Sequence, residues 1–165
     1  MTVCIRPWRP ADAAAVAGLI LPIQSLEYGI SITLADQPDL ADVPGFYLAG
    51  AGGFWVAEDD GEIVGSVALK DIGGGDAALR EMFVAADRRG AAAGVAAGLL
   101  RTLIAAAADR GLRRIWLGTT EKFVAAHRFY DKQGFVAVDP ASLPAAFPRM
   151  AVDSRFYRLS LADVL

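Results

Sequence analysis

The connections in this chain change character part-way along it, and that change limits the folds open to it. Phe54 to Glu58 and Glu62 to Lys70 both read as strands, with only Asp59-Asp60-Gly61 between them. Asp-Gly between two apolar runs is a strong hairpin signal, because the turn needs residues that tolerate positive φ. Gly73-Gly74-Gly75-Asp76 marks a second turn before a third strand, Leu79 to Ala85. Links this short cannot carry a crossover, so these strands form an antiparallel meander. Beyond them the spacing lengthens. Gly90 to Arg110 is a long apolar helix stopped by Gly111, and Arg113 to Gly118 is a strand of continuous apolar character. Glu121 to Gln133 is a second helix stopped by Gly134, and Phe135 to Val138 is another strand. Strand-helix-strand alternation needs crossovers and makes this half of the sheet parallel.

The ends complete the pattern. Val3 to Arg6 is a β-prone run closed by Pro7 and Pro10. A helix follows, with Asp12 near its N-cap, Val16, Leu19 and Ile20 at helical spacing, and Pro22 at its end. Residues 24–37 lack a clean period, and Pro38 and Pro44 interrupt a second helical stretch, Asp39 to Ala49. Residues 139–150 are irregular, and Phe156 to Leu161 reads as the last strand. The expectation is one α/β domain over residues 1–165, with a mixed central sheet of about six or seven strands and about four flanking helices.

Composition excludes several classes. Apolar residues make up 55% and charged residues 21%, which is globular. With 16 Lys and Arg against 19 Asp and Glu the net charge is −3, so no basic face for nucleic acid is expected. One cysteine, Cys4, and one histidine, His127, cannot build an intrachain disulfide, a Cys/His zinc cage or a Ser-His-Asp triad. No metal is expected. Met1 to Pro10 has no long apolar core, which reads as a cytoplasmic protein. Ala91 to Ala108 is the most membrane-like stretch, but Arg101 and Thr102 lie at its centre. It reads as a buried helix, and no membrane partner is expected.

Two segments carry chemistry. In Val84 to Ala96 a strand ends, a short turn follows and a long helix begins. The first turn of such a helix has N–H groups without intrahelical partners, at the positive end of the helix dipole. Gly90 and Gly94 keep side chains clear, and Arg88 and Arg89 add charge, which together suit a phosphate or pyrophosphate. Neither a P-loop nor a G-x-G-x-x-G fingerprint is present. The same glycines, with Gly98, also suit close helix packing, and the residues alone leave both readings open. In Ala125 to Phe135, Ala126, Phe129, Tyr130 and Gln133 share one helix face. An aromatic pair at that spacing serves equally as core or as the wall of a site.

Taken together, the two segments resemble the GNAT superfamily of acyl-CoA N-acyltransferases. Its acyl-CoA loop, Gln/Arg-x-x-Gly-x-Gly/Ala, is similar to Arg89-Gly90-Ala91-Ala92-Ala93-Gly94, and its preceding strand to Glu81-Met82-Phe83-Val84. Its later signature resembles Ala126, Phe129, Tyr130, Gly134 and Phe135, and Ile5-Arg6-Pro7 with Asp12 resembles its usual opening. Two positions depart: Ala92 stands for the first loop glycine, and Phe123 for an asparagine often found seven residues before the tyrosine.

The resemblance implies that coenzyme A lies in a V where the strand ending at Val84 splays from the strand ending at Gly118. The pantetheine arm would pair with the main chain of Phe83 and Val84, and the pyrophosphate would sit on the amides of Arg89, Gly90, Ala91, Ala92, Ala93, Gly94 and Val95. Phe123, Ala126 and Phe129 would line the arm. The reaction implied is direct attack of a primary amine, from a small molecule or peptide, on acetyl-CoA. Tyr130 is the expected general acid: a phenol titrates near ~10 and a thiol near ~8.5, so the phenol stays protonated and can donate. Glu81 is the expected base, with Glu27 and Asp71 as weaker candidates. Glu27, Tyr28, Asp36 and Arg149 lie in irregular segments suited to reading the amine. His127 reads as a surface or helix-packing residue, and Trp8, Trp55 and Trp116 as core or half-buried strand residues. A non-catalytic acyl-CoA-binding module on the same fold is the alternative, and a homodimer stays open.

Overall fold

In the computed structural model, residues 3–90, 94–121 and 123–164 are described. The strands are β1 (Val3–Pro7), β2 (Gly53–Asp59), β3 (Glu62–Gly73), β4 (Asp76–Val84), β5 (Arg114–Thr119), β6 (Val136–Val138) and β7 (Arg155–Ser160). The helices are α1 (Ala13–Pro22), α2 (Pro38–Ala41), α3 (Val43–Tyr47), α4 (Val95–Asp109) and α5 (Val124–Lys132). All the strands form one sheet, in the order β1-β2-β3-β4-β5-β7-β6.

The meander from β1 to β4 is antiparallel, as the short turns require. The second half differs from the simplest reading of its crossovers. Only β4 and β5 pair in parallel. β7 inserts between β5 and β6 and runs antiparallel to both, so the two crossover strands never touch.

Alternation along the strands builds two cores. Trp55, Ala57, Val67, Leu69 and Leu79 pack with Leu99, Leu100 and Leu103 of α4 and Tyr130 of α5. On the opposite face Phe54, Val56 and Ala68 pack with Val16 and Ile20 of α1, Leu40 of α2, and Val43 and Tyr47 of α3. The period-2 strand pattern sends alternate residues to opposite helical layers. Trp8, Trp55 and Trp116 are all buried.

Three local readings change. Pro22 is the last residue of α1, as expected, but the chain does not turn away there: it continues directly as a wide turn over Ile23–Glu27, closed by Tyr28 N donating to Ile23 O. Proline removes one i to i−4 bond, and the five-residue turn carries the chain past that gap. The stretch from Asp39 to Ala49 is two short helices, each with proline in its first turn. α4 begins at Val95 and α5 at Val124, each later than the apolar pattern suggests.

Asp12 anchors α1 to the sheet. Its carboxylate accepts two bonds from Arg6 at 2.8 and 2.9 Å, and one from Arg9 N at 2.7 Å. The Arg6 bonds hold its pKa below 3.8 despite burial. A lowered folded-state value means that this contribution is present above pH 3.8 and lost as pH falls through the folded pKa. Asp12→Ala should cost about 2 kcal/mol at neutral pH, read by urea unfolding. The difference from wild type should shrink below pH 3.8.

Candidate active site

β4 and β5 pair over three positions: Asp76 with Arg114, Ala77 with Ile115, and Ala78 with Trp116. Beyond that they part. β5 stays paired with β7 as far as Thr119, while β4 bends at a bulge. Arg80 pairs with Ala68 and Phe83 with Ser66, so Glu81 and Met82 together oppose Val67. Glu81 takes φ +54°, a left-handed value that a non-glycine residue adopts only under local constraint. Ser66 Oγ supports it by donating to Glu81 O at 2.8 Å.

The bulge re-aims side chains. Leu79 and Met82 pack toward α4. Arg80 and Glu81, neighbours in sequence, both turn toward α2 and α3. There Glu81 meets Asp39, and Arg80 lies near the Tyr47 phenol. The space between the parted strands is a cleft of about 580 Å³, within the range of small-molecule sites. Glu81, Phe83, Val84, Gly94, Phe123, Ala126, Phe129 and Tyr130, all singled out from sequence, line it together.

The glycines of the α4 approach divide by role. A Cβ at Gly98 would lie 2.6 Å from Ile5 Cδ1, so Gly98 serves close packing of β1 on α4. Gly90 and Gly94 have φ of +103° and +67°, and a Cβ at either would meet none of the described residues within 4 Å. Their role is backbone geometry. Gly94 is the N-cap of α4 and lines the cleft with Gly90. Val95 is buried beneath that turn. Ala91, Ala92 and Ala93, also expected in the cradle, lie outside the described residues.

The arginines of the turn are engaged. Arg88 donates to Asp59 at 2.9 Å and to Asp87 at 2.7 Å. Arg89 donates to Val84 O at 2.8 Å and bonds the Glu27 carboxylate, one arm at 3.0 Å. These bonds brace the turn against β4 and the wide turn after α1. The Arg89 bond holds the Glu27 pKa below 4.5, so Glu27 is a tethered carboxylate.

Tyr130 is buried among Phe129, Phe135 and Tyr157, and also lines the cleft. Its hydroxyl has no hydrogen-bond partner among the described residues. Burial, then Tyr157, raises its pKa above 10, so the phenol keeps its proton. Glu81 is not a solvated strand glutamate. It is 8% exposed, and its Oε2 is buried without a hydrogen-bonding donor among the described residues. Burial, then the Asp39 carboxylate, pushes its pKa well above 4.5. Asp39 in turn accepts from Tyr47 Oη at 2.5 Å. No sequence signal marked Asp39, since α2 is too short for periodicity and its contact with β4 is long-range.

The remaining candidates are placed as follows. Asp71 accepts from Ala51 N and Gly73 N, each at 2.9 Å, and closes loops away from the cleft. His127 is buried, with Nε2 2.9 Å from Thr120 O. Tyr28 packs edge-on against Phe123, ring centroids 4.4 Å apart, and both line the cleft. Asp36 accepts from Thr33 N and Oγ1, each at 2.9 Å, and Arg149 stacks 4.9 Å over Phe156.

A strand pair thus splays beside a glycine-opened helix, with a buried tyrosine lining the gap. The model of the acetyltransferase (GNAT) family matches residues 22–135. This chain belongs to the GNAT family. A crystal structure of a GNAT acetyltransferase from Staphylococcus aureus superposes on the GNAT domain with a TM-score of 0.93. It is 33% identical, over 97% of this chain and 99% of that one. A putative acetyltransferase from Salmonella typhimurium, solved with its cofactor acetyl-CoA, has a TM-score of 0.72 at 20% identity, over 98% of this chain and 95% of that one. That second likeness is one of fold. Among curated relatives, the mouse probable N-acetyltransferase family 8 member 5 is 36% identical over 104 residues, covering 60% of this chain and 45% of its own length. The chain spans about half the length of the first curated relatives it matches.

Gly94→Ala isolates the backbone requirement of the turn. The methyl group meets none of the described residues, but φ +67° disfavours it, at roughly 1 kcal/mol. The variant should lose about that much stability, read by urea unfolding.

Proposed function

We propose that this GNAT domain transfers an acetyl group from acetyl-CoA to a primary amine. The observation that carries this reading is the convergence of three features on one cleft: the unpaired edge of β4, the open helix start at Gly94, and the Tyr130 phenol. The residues present fit the coenzyme. The β4 edge past Ala78 leaves main-chain groups free for an extended arm to pair with. Phe123, Ala126 and Phe129 give that arm an apolar wall. Among the described residues, nothing would meet a Cβ at Gly90 or Gly94, which suits a diphosphate at the α4 amides. Arg89 holds this turn in place through Val84 and Glu27.

Acetyl-CoA supplies a thioester, an acyl group already activated toward an amine. The chain's share is positioning and proton handling. Holding amine and thioester side by side supplies much of the acceleration. Tyr130 Oη keeps its proton through the working pH range and can give it to the departing sulfur. Glu81 works at the other end. Its raised pKa makes its ionised form a stronger base than an ordinary carboxylate, and Oε2 can take the amine's proton. A lysine-like amine costs about 4.6 kcal/mol to deprotonate at pH 7, so a base matters most for acceptors of high pKa.

Two variants test these roles. Tyr130→Phe should lower kcat about 10²-fold with little change in the KM for acetyl-CoA, in a thiol-release assay. Unchanged turnover would remove the proton donor. Glu81→Gln should lose the acidic limb of the kcat/KM profile, which in the wild type should lie above pH 4.5. Stability should move in the opposite sense. A carboxyl with a raised folded pKa stabilises most below pH 4.5, and that contribution is lost as pH rises through the folded value. The Glu81→Gln thermal midpoint should therefore decline less than the wild-type midpoint as pH increases over that window. Coenzyme binding without amine-dependent thiol release would favour a binding module instead.

A further inference from the structure

A second cavity, about 490 Å³, opens beside the cleft. The two share Ile32, Arg80, Pro148, Met150 and Val152, so they form one continuous space. Their charges are segregated. At the junction stand Glu81 and Asp39, two carboxyls in mutual contact. Asp39 is already held by Tyr47. Alongside stand two guanidiniums, Arg80 and Arg149. Neither guanidinium has a hydrogen bond or salt bridge to a carboxylate among the described residues, though Arg149 stacks on Phe156, whereas Arg6, Arg88, Arg89 and Arg114 are all paired with carboxylates. Asp153, which faces Arg80 and Arg149, is spent on Met150 N at 2.9 Å, and burial raises its pKa. Asp36, also in this cavity, is spent on Thr33.

The bulge in β4 makes this arrangement. In regular pleating Arg80 and Glu81 would point to opposite faces. The left-handed Glu81 sends both to the same side, a cation next to an acid. A guanidinium presents a planar fork of donors that matches a carboxylate. A site with guanidiniums that no carboxylate holds, next to a carboxyl pair, suits a ligand that carries both charges a few atoms apart.

We propose that the acceptor is an amine bearing a nearby carboxylate, of the α-amino-acid type, whose carboxylate is held by Arg80 and Arg149 in the second cavity while its amino group faces Glu81 and Asp39. This rests on the acetyltransferase reading for its turnover but not for its binding. The amino group, once neutral, attacks the acyl carbon; the carbon–sulfur bond breaks, the amine's proton passes to Glu81, and the sulfur takes the Tyr130 proton. The carboxylate remains unreacted in the guanidinium fork.

The test compares free amino acids with their carboxamides and with the amines lacking the carboxyl group. Each is measured by calorimetry on the coenzyme A-loaded protein and by thiol release with acetyl-CoA. The wild type should favour the free acids by at least ~10-fold in both Kd and kcat/KM. Arg80→Gln and Arg149→Gln should each erase most of that preference, weakening the free acids far more than the carboxamides. Arg80→Lys should restore part of it. Equal use of acids, carboxamides and plain amines by the wild type would overturn the carboxylate site and leave the acetyltransferase reading standing. Carboxylate-dependent binding with no thiol release would do the reverse. No carboxylate-dependent binding and no release would overturn both.

Discussion

Past Ala78 and Trp116 the backbones of β4 and β5 run apart, so one edge of β4 faces open space instead of a neighbouring strand. Peptide groups in a protein interior need partners, and a sheet left open at its centre would be a fault if nothing filled it. Much of the surrounding structure serves to hold that opening in shape. Asp76 pins the closed end, accepting from Arg114 Nε at 2.8 Å and Trp116 Nε1 at 3.0 Å. β7 keeps β5 straight by pairing along its whole length. Arg89 ties the far end of β4, through Val84 O, to the turn before α4. The opening is thus built into the sheet itself.

The bulge at Glu81 links the cleft to the chemistry. It stores backbone strain in a left-handed residue and buries a carboxyl against another carboxyl. Each of these features costs stability, and neither helps the domain to fold. What they achieve is placement: Glu81 and Arg80 side by side on the face of α2 and α3, with Tyr130 reaching the same cleft from α5. The Ser66 hydroxyl offsets part of the cost by bonding the strained Glu81 backbone, and the Tyr47 hydroxyl by bonding the Asp39 carboxylate.

Much of the fold was legible in the sequence because turn chemistry is local. Asp60 and Gly61 both take positive φ at the first hairpin, and Gly73, Gly74 and Gly75 do so at the second. The apolar spacing of α4 and the glycines ending α4 and α5 were equally plain. The insertion of β7 between β5 and β6 was not, since strand order depends on pairing between distant segments. In the site, Tyr130, Glu81 and Gly94 stood out through motif spacing. The state of Glu81 did not, because it depends on Asp39, a residue on a one-turn helix that only the tertiary fold brings near. Nor was the engagement of Arg88 and Arg89 by Asp59 and Glu27 readable from charge at the turn alone.

The most direct test of the account is a crystal structure of the protein with coenzyme A. It should place the diphosphate on the amides that open α4, the pantetheine arm along β4 beside Phe83 and Val84, and the sulfur within hydrogen-bond reach of Tyr130 Oη. A coenzyme seated elsewhere, or a sulfur that the phenol cannot reach, would contradict it.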